Sequence, residues 1–396
     1  MTVGQFNESY PPIMDGVGMV TKQYATWLDR KYGKGVAVTV QMPEVDTADE
    51  VDGEGPEVLR VNSVPVPGMP PYRAPLPGLS PQVRKRLDEI PFDIVHSHAP
   101  FRLGRMALSI ARARNIPMVT TFHSKYREDF QKALPGFLVP AAMRYILKFY
   151  AQVDMVWVPN QATIDTIREY GHQGPVEVMY NGTDLQLPND IDSYRQQGEA
   201  FAGIPSDHKM LLYIGQHRWE KNLKLMLEAL KVARSAGGAK SEPFSMAFVG
   251  QGYAERELVD LAKELGIDDI VHFLGVVRDR EVIKQLFARS DLFLFPSLYD
   301  TSPLTLREAA AFHVPTLLVE GASATEGITD GQNGFIAPND ATEYGAAIRR
   351  VLGDSRTLEA VGQGAFDTLF RTWEQVADEV HERYLGLIEQ KKSQVS

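Results

Sequence analysis

Short apolar runs alternate along this chain with longer stretches in which apolar positions recur at helical spacing. The runs fall at 1–6, 36–41, 58–64, 94–97, 118–122, 155–158 and 176–179, and a second series follows at 210–214, 244–249, 270–274, 292–295, 316–319 and 334–336. Near-continuous apolar strands separated by amphipathic helices predict parallel sheets covered on both faces by crossover helices, an α/β class. The polar stretch from Gln186 to Asp207, with Pro188, Asn189, Asp190 and Gly203, interrupts the alternation. It predicts a linker at 188–207 between an N-terminal domain (1–187) and a second domain (208–372). The end of the chain, 373–396, places Val376, Val380, Tyr384, Leu387 and Ile388 on roughly one face of an amphipathic helix.

Composition narrows the class. The 396 residues exceed one typical core, and 44% apolar content is enough for two. With no Cys, disulfides, thiol chemistry and cysteine-ligated metals drop out, and a reducing compartment is expected. The start Met1-Thr2-Val3-Gly4-Gln5-Phe6-Asn7-Glu8 lacks a basic-then-apolar secretory pattern, and no apolar run approaches ~18 residues. A cytoplasmic protein is expected, so Asn181-Gly182-Thr183 reads as a turn. A formal charge of −10 opposes general nucleic-acid binding.

The chemistry concentrates behind the run Leu292-Phe293-Leu294-Phe295-Pro296. There Asp300-Thr301-Ser302-Pro303-Leu304-Thr305-Leu306-Arg307-Glu308 sets two carboxylates across a strand-to-helix turn. Ser302 is expected as the N-cap and Pro303 as the first helical residue, leaving the N–H groups of Leu304 and Thr305 for a bound anion such as a diphosphate. Asp300 can accept hydrogen bonds from hydroxyls beyond the phosphates, and Glu308 from hydroxyls on the other side, such as a ribose diol. Considered alone, the two carboxylates are equally those of a capped helix with solvated acids.

The surrounding sequence resembles the C-terminal half of the retaining glycosyltransferases of family 4 (glycosyl transferases group 1). The matching pieces are Phe273-Leu274-Gly275, Pro296-Ser297, Asp300 to Glu308, Ala309-Ala310-Ala311, Val314-Pro315 and Asn333-Gly334-Phe335. Asp300 stands where that family usually has Glu. The resemblance implies the GT-B fold: two Rossmann-like domains facing across a cleft, with the terminal helix crossing back to the first. Tyr213-Ile214-Gly215-Gln216-His217-Arg218-Trp219-Glu220-Lys221 looks like the family's Gly-Arg-x-x-x-x-Lys element, with Gln216 at the usual Arg position and Arg218 two residues on. Lys221 would then neutralise the diphosphate, helped by Arg218. The loops at Gly250 and Gly252 and at Gly16 and Gly18 resemble the donor-domain and N-terminal glycine loops, which bring backbone close to a ligand. Arg278 would face the base.

His98 and His123 end two strands, where ligands of parallel sheets bind. By the resemblance, His123 contacts the donor sugar near the reacting carbon, and His98 lines the acceptor pocket with Lys125 and Tyr126. Asp190-Ile191-Asp192 falls in the expected linker and reads as solvated charge, so no metal site and no cofactor are expected. The reading is a metal-independent retaining hexosyltransferase, with UDP-glucose the first expected donor. GDP-mannose and other UDP-hexoses stay open.

For the acceptor, 100–106 and 122–130 resemble bacterial diacylglycerol glucosyltransferases. The segment 137–150, with Arg144 and Lys148, suits either a membrane surface or a half-buried domain helix. A lipid, a glycan or a small molecule would each supply a hydroxyl. Two other classes share the binding loops: a GT-B nucleotide-sugar epimerase, which needs no acceptor, and a non-catalytic nucleotide-sugar-binding protein.

Overall fold

The computed structural model describes residues 1–13, 15–43, 45, 55–69, 71–236 and 242–394. It divides into two compact units, Met1–Asn181 with Trp373–Ser396, and Gly182–Thr372. The first unit contains β1 (Thr2–Phe6), β2 (Lys34–Val40), β3 (Glu57–Val61), β4 (Ser63–Pro65), β5 (Arg73–Pro75), β6 (Ile94–Ser97), β7 (Met118–Thr121), β8 (Met155–Val158) and β9 (Val176–Val178). Seven of these form one sheet in the order β3-β2-β1-β6-β7-β8-β9, parallel throughout. β4 and β5 pair antiparallel as a separate ribbon; the apolar run at 58–64 joins β3 to the start of β4 and leaves β5 out. The helices are α1 (Gly16–Tyr32), α2 (Pro81–Glu89), α3 (Arg102–Arg114), α4 (Tyr126–Ala133), α5 (Val139–Tyr150) and α6 (Gln161–Glu169).

The second unit opens with α7 (Ile191–Ala202), so the stretch expected as a linker holds a helix. Asp190 caps it, accepting from Ser193 N, and Gly203 closes it in the left-handed region at φ 64°. Cap and stop surround a sequence whose polar face masked its periodicity. Gly198 lets α7 approach α10 (Arg280–Arg289) closely, because a Cβ there would lie 2.1 Å from the Gln285 carbonyl oxygen. The strands are β10 (Lys209–Ile214), β11 (Phe244–Val249), β12 (Val271–Phe273), β13 (Leu292–Phe295), β14 (Thr316–Val319) and β15 (Phe335–Ala337). They order as β12-β11-β10-β13-β14-β15, again all parallel. The remaining crossovers are α8 (Leu223–Ser235), α9 (Glu255–Glu264), α11 (Leu304–Ala311), α12 (Ala341–Leu352) and α13 (Ser355–Leu369).

All four residues of β13 are buried, the signature of a central parallel strand covered on both faces. α14 (Trp373–Ser393) packs in the first unit against α1: Lys31 pairs with Glu374 at 3.0 Å and Asp378 at 2.7 Å, and Tyr32 stacks on His381 with ring centroids 3.8 Å apart. Residues 395 and 396 of the expected terminal helix lie outside the described residues. In each sheet the chain runs outward in both directions from one strand, β1 in the first and β10 in the second. The loops leaving β1 and β6, and those leaving β10 and β13, therefore diverge, and a crevice opens at the carboxyl ends of these strands. No described helix is long and apolar enough to cross a membrane.

Candidate active site

In the second unit the loops after β10 and β13 carry the charged groups. Lys221 ends a 3-10 turn (Trp219–Lys221), after which Asn222 adopts the left-handed conformation at φ 60° and its side-chain amide donates to the Pro296 carbonyl at 3.2 Å. This tie holds the two loops together and brings Lys221 Nζ onto Asp300 Oδ1 as an ion pair. Both side chains are mostly covered, at 15% and 21% exposure, so the pair is only partly screened. The other carboxylate oxygen, Oδ2, is buried and has no hydrogen-bond partner among the described residues. An unsatisfied acceptor beside an ammonium is a polarised position for a ligand hydroxyl. Ser297 builds the turn, its hydroxyl accepting from the backbone N–H of Tyr299 and Asp300 at 3.3 Å each.

The helix begins one residue later than expected. Pro303, extended at φ −67° and ψ 131°, is the N-cap, with no side chain capping α11; Ser302 lies outside the helix and does not cap it. The reason is that Pro, lacking N–H, costs nothing at either position, and its extended ψ ends the loop. Leu304 and Thr305 remain in the first turn, where their N–H groups have no intrahelical acceptor. Glu308, one turn further on, is 10% exposed in its side chain and hydrogen-bonds Arg280 at 2.7 Å. Burial pushes its pKa up, the Arg280 charge opposes this, and Asp184 adds to the rise. Arg280 also pairs with Asp184. Burial works against the Arg280 charge, but the two carboxylates outweigh it and keep the guanidinium ionised.

Arg278, singled out from the sequence, is exposed, whereas Arg280, which holds Glu308, was not singled out. The helix phase supplies the missed signal. Asp279 caps α10, accepting from Glu281 N, so Arg280 is the first residue of the helix. Arg218 is engaged with its own loop: its guanidinium lies 3.6 Å from Glu220 and 5.8 Å from the Tyr253 ring centroid. Gly215 and Gly250 serve close backbone approach. A Cβ on Gly250, which sits at φ 133°, would fall 2.0 Å from the Gly215 carbonyl oxygen. At Gly215 a Cβ would meet the Tyr213 hydroxyl at 2.6 Å.

In the first unit, Asp15 caps α1 and accepts from Gly18 N at 2.7 Å, so the N-terminal glycine loop's first amides are partly satisfied by the protein itself. Gly18 is needed for packing, since a Cβ would lie 2.9 Å from the Ser9 hydroxyl, whereas Gly16 faces open space. His98, just past the end of β6, and His123, two residues past the end of β7, come together, with His98 Nδ1 3.1 Å from His123 Nε2. Burial pushes His98 well below the usual imidazole range, and His96 and His123 lower it further. Burial pushes His123 down to about 3. Both are neutral at physiological pH.

Tyr126 is 5% exposed and packs edge-on to Phe101 and Phe122, with burial raising its phenol, which makes it a core residue of α4. Lys125 precedes α4 at its N-cap position. Glu8, after β1, was not singled out from sequence. Its Oε1 accepts from Leu103 N at 2.7 Å at the start of α3, its Oε2 is buried without a partner among the described residues, and burial raises its pKa to about 7. Among the described residues no group of three or more His, Cys, Asp or Glu is placed to hold a metal ion.

Comparison with known proteins matches both halves of the chain. Residues 14–187 match the family model described as Glycosyltransferase Family 4, and residues 195–368 that described as Glycosyl transferases group 1. Alpha-monoglucosyldiacylglycerol synthase of Streptococcus pneumoniae is 23% identical over 394 residues, covering 98% of this chain and 86% of that protein. GDP-mannose-dependent alpha-mannosyltransferase of Corynebacterium glutamicum is 24% identical over 400 residues, covering 98% and 89%. Among solved structures, Anabaena HepE in complex with UDP and glucose has a TM-score of 0.73 at 18% identity, covering 97% of this chain and 99% of that one. With both units matched by these paired models, and with two parallel Rossmann-like sheets, the chain belongs to the family 4 glycosyltransferases of the GT-B fold.

Proposed function

We propose that this protein is a metal-independent retaining hexosyltransferase that uses UDP-glucose and glucosylates a lipid hydroxyl at the cytoplasmic face of a membrane. The observation that carries the donor half is the Lys221–Asp300 pair beside the uncapped start of α11, with Glu308 one turn into that helix. In this reading the diphosphate lies at the N–H groups of Leu304 and Thr305 and draws Lys221 onto itself. Asp300, released from Lys221, accepts from the sugar, and Glu308 accepts from the ribose diol. Charge grows on the diphosphate as the glycosidic bond breaks, so a preorganised ammonium and helix N-terminus stabilise the transition state more than the ground state. His123 meets the transferred sugar, while His98 and Lys125 serve the acceptor. The acceptor hydroxyl attacks from the face that the leaving phosphate vacates and passes its proton to that phosphate, which keeps the anomeric configuration.

The lipid acceptor draws support from the named synthase that covers nearly the whole chain and from the surface of α5. That helix buries Val139, Met143, Ile146 and Phe149 in the core but leaves Arg144, Tyr145 and Lys148 outside, next to Phe137 at 80% and Leu138 at 40% exposure. Exposed aromatic and aliphatic tips beside basic groups suit an interfacial membrane contact.

Incubation with UDP-glucose, other UDP-hexoses and GDP-mannose, each with diacylglycerol vesicles, oligosaccharides or no acceptor, tests the proposal by nucleoside diphosphate release and product mass. Diacylglycerol-dependent release of UDP with a glucosylated lipid is the expected result. Epimer formation without release would identify an epimerase, and binding without turnover a non-catalytic protein.

A further inference from the structure

A single guanidinium stands between Asp184 and Glu308. Arg280, the first residue of α10, uses one nitrogen for both: Nη2 donates to Glu308 Oε1 at 2.7 Å and to Asp184 Oδ1 at 2.5 Å. Its Nε is buried and meets no acceptor among the described residues. On Glu308 only Oε1 is held, and Oε2 takes no hydrogen bond from the described residues. The Asp184 end is anchored firmly. Asp184 lies between Thr183 and Leu185, both buried, and Thr183 bridges to Thr372 and donates its backbone N–H to the Arg371 carbonyl at 2.8 Å.

A guanidinium with one carboxylate to itself adopts a different geometry. It forks, setting two parallel N–H groups on the two oxygens of that carboxylate. A fork through Nη2 and Nε would also give the orphaned Nε an acceptor, and a buried donor without one is costly. Both effects favour Glu308, whose side chain is 10% exposed against 33% for Asp184, because attraction is stronger where water screens it less. Asp184 opposes the fork by holding Nη2 from the other side. Arg280 therefore neutralises Glu308 through one oxygen and leaves the second open. A fork would engage both, and a diol donating to Glu308 would first have to displace it.

We propose that Asp184 is a positioning residue for the nucleotide: by sharing Arg280, it keeps one oxygen of Glu308 available to the ribose diol. This rests on the reading that Glu308 accepts from that diol. The ribose is remote from the bond that breaks, so its contacts are the same in the ground state and the transition state. Their loss raises KM and spares kcat. The sign of the effect separates sharing from simple charge. The Asp184 charge pushes Glu308 toward its protonated form, so on charge alone removing it would strengthen the ribose contact. Sharing of Arg280 predicts the opposite, a weaker contact.

Calorimetry on the full chain with UDP and with 2′,3′-dideoxy-UDP, which lacks the diol, is the test; GDP and its dideoxy counterpart run alongside, and whichever base binds carries the comparison. The wild type is expected to prefer the nucleotide with the diol. Asp184→Asn should bind that nucleotide roughly tenfold more weakly, bind the dideoxy form as the wild type does, and raise KM for the nucleotide sugar by the same factor at unchanged kcat. Asp184→Glu should stay close to wild type. Arg280→Lys supplies a background in which the cation cannot fork, so Asp184→Asn added to it should cause no further loss. Unchanged or tighter binding by Asp184→Asn overturns the proposal. So does an equal loss in both backgrounds, or for the dideoxy form, since either makes the effect of Asp184 independent of Arg280 or of the diol. Asp184→Ser is read in the same way if Asp184→Asn does not fold. A wild type that binds both forms equally, or binds neither base, overturns instead the reading of Glu308, whereas a preference for the diol that Asp184→Asn leaves intact overturns the role of Asp184 alone.

Discussion

Lys221 and Asp300, brought from the loops after β10 and β13, form an ion pair in which one carboxylate oxygen is matched and the other is buried unmatched. Such a pair is a poor end state, because a partly desolvated charge with a vacant acceptor gains from any ligand that completes it. In the proposed function a diphosphate takes the ammonium and a sugar hydroxyl takes the carboxylate, so the two groups would hold each other in place without substrate and exchange partners when it binds.

For Lys221→Ala the expected outcome is a fall in kcat of roughly a hundredfold or more, with a smaller loss in donor affinity, since the lysine acts on charge that grows during bond cleavage. Asp300→Asn should keep or tighten binding of free UDP, because Lys221 is no longer drawn to a carboxylate, while turnover of the sugar nucleotide drops. Steady-state kinetics and calorimetry on both variants check this pair of effects. Normal turnover in a folded Lys221→Ala protein would remove the lysine from the mechanism.

Glu308 and Arg280 give a prediction on the nucleotide alone. Glu308→Gln loses a charged acceptor for the ribose hydroxyls and should weaken UDP binding about 10- to 100-fold, the range of charge-assisted hydrogen bonds. Arg280→Met leaves the Glu308 carboxylate buried without its cation, which favours protonation and should weaken UDP by a similar factor. Asp300→Asn serves as the control that spares UDP. Calorimetric losses of equal size for Asp300→Asn and Glu308→Gln would refute the separate assignments.

Much of this arrangement can be read in the chain because strand ends and helix starts have local causes. The apolar runs at 94–97, 244–249, 292–295 and 316–319 coincide with β6, β11, β13 and β14, every residue of which is buried. Lys221, Asp300 and Glu308 are near in sequence to those ends, so motif spacing finds them. Arg280 and Asp184 are not found that way. Arg280 reaches Glu308 from another helix, and Asp184 reaches Arg280 across 96 positions, so only the tertiary fold shows the contact. α7 was hidden for a different reason: half of its surface is solvated, and Pro188, Asn189 and Asp190 before it look like loop while acting as its entry and cap.

Transfer should need no divalent metal. In the proposed function Lys221 and the start of α11 cover the electrostatic task at the diphosphate, so a metal would duplicate that charge. Single-turnover assays after exhaustive EDTA treatment should match untreated enzyme, with product release followed separately because a metal can speed that step alone. Loss of single-turnover chemistry that magnesium or manganese restores would mean a missed metal site and too large a role for Lys221.

The last prediction concerns pH and stability in the first unit, where two sets of buried groups act with opposite sign. Burial lowers His96, His98 and His123, so the folded state resists protonation that the unfolded chain accepts; their contribution is complete above the ordinary value of 6.5 and is lost as pH falls below it. Glu8 is raised from 4.5 to about 7, so its contribution is complete below 4.5 and is lost as pH rises through 7, where an ionised carboxylate must stay buried. That shift is worth about 3 kcal/mol at most. Glu8→Gln keeps an oxygen for Leu103 N and removes the titration. Its melting temperature relative to wild type should therefore rise between pH 4.5 and 7 and level off above, by roughly 5 °C or more for a unit of this size. The histidines are common to both proteins and cancel in that difference. Thermal melts of the two proteins from pH 4.5 to 8 decide the matter, and a difference that does not change with pH would show that Glu8 ionises in the fold as it does in the unfolded chain.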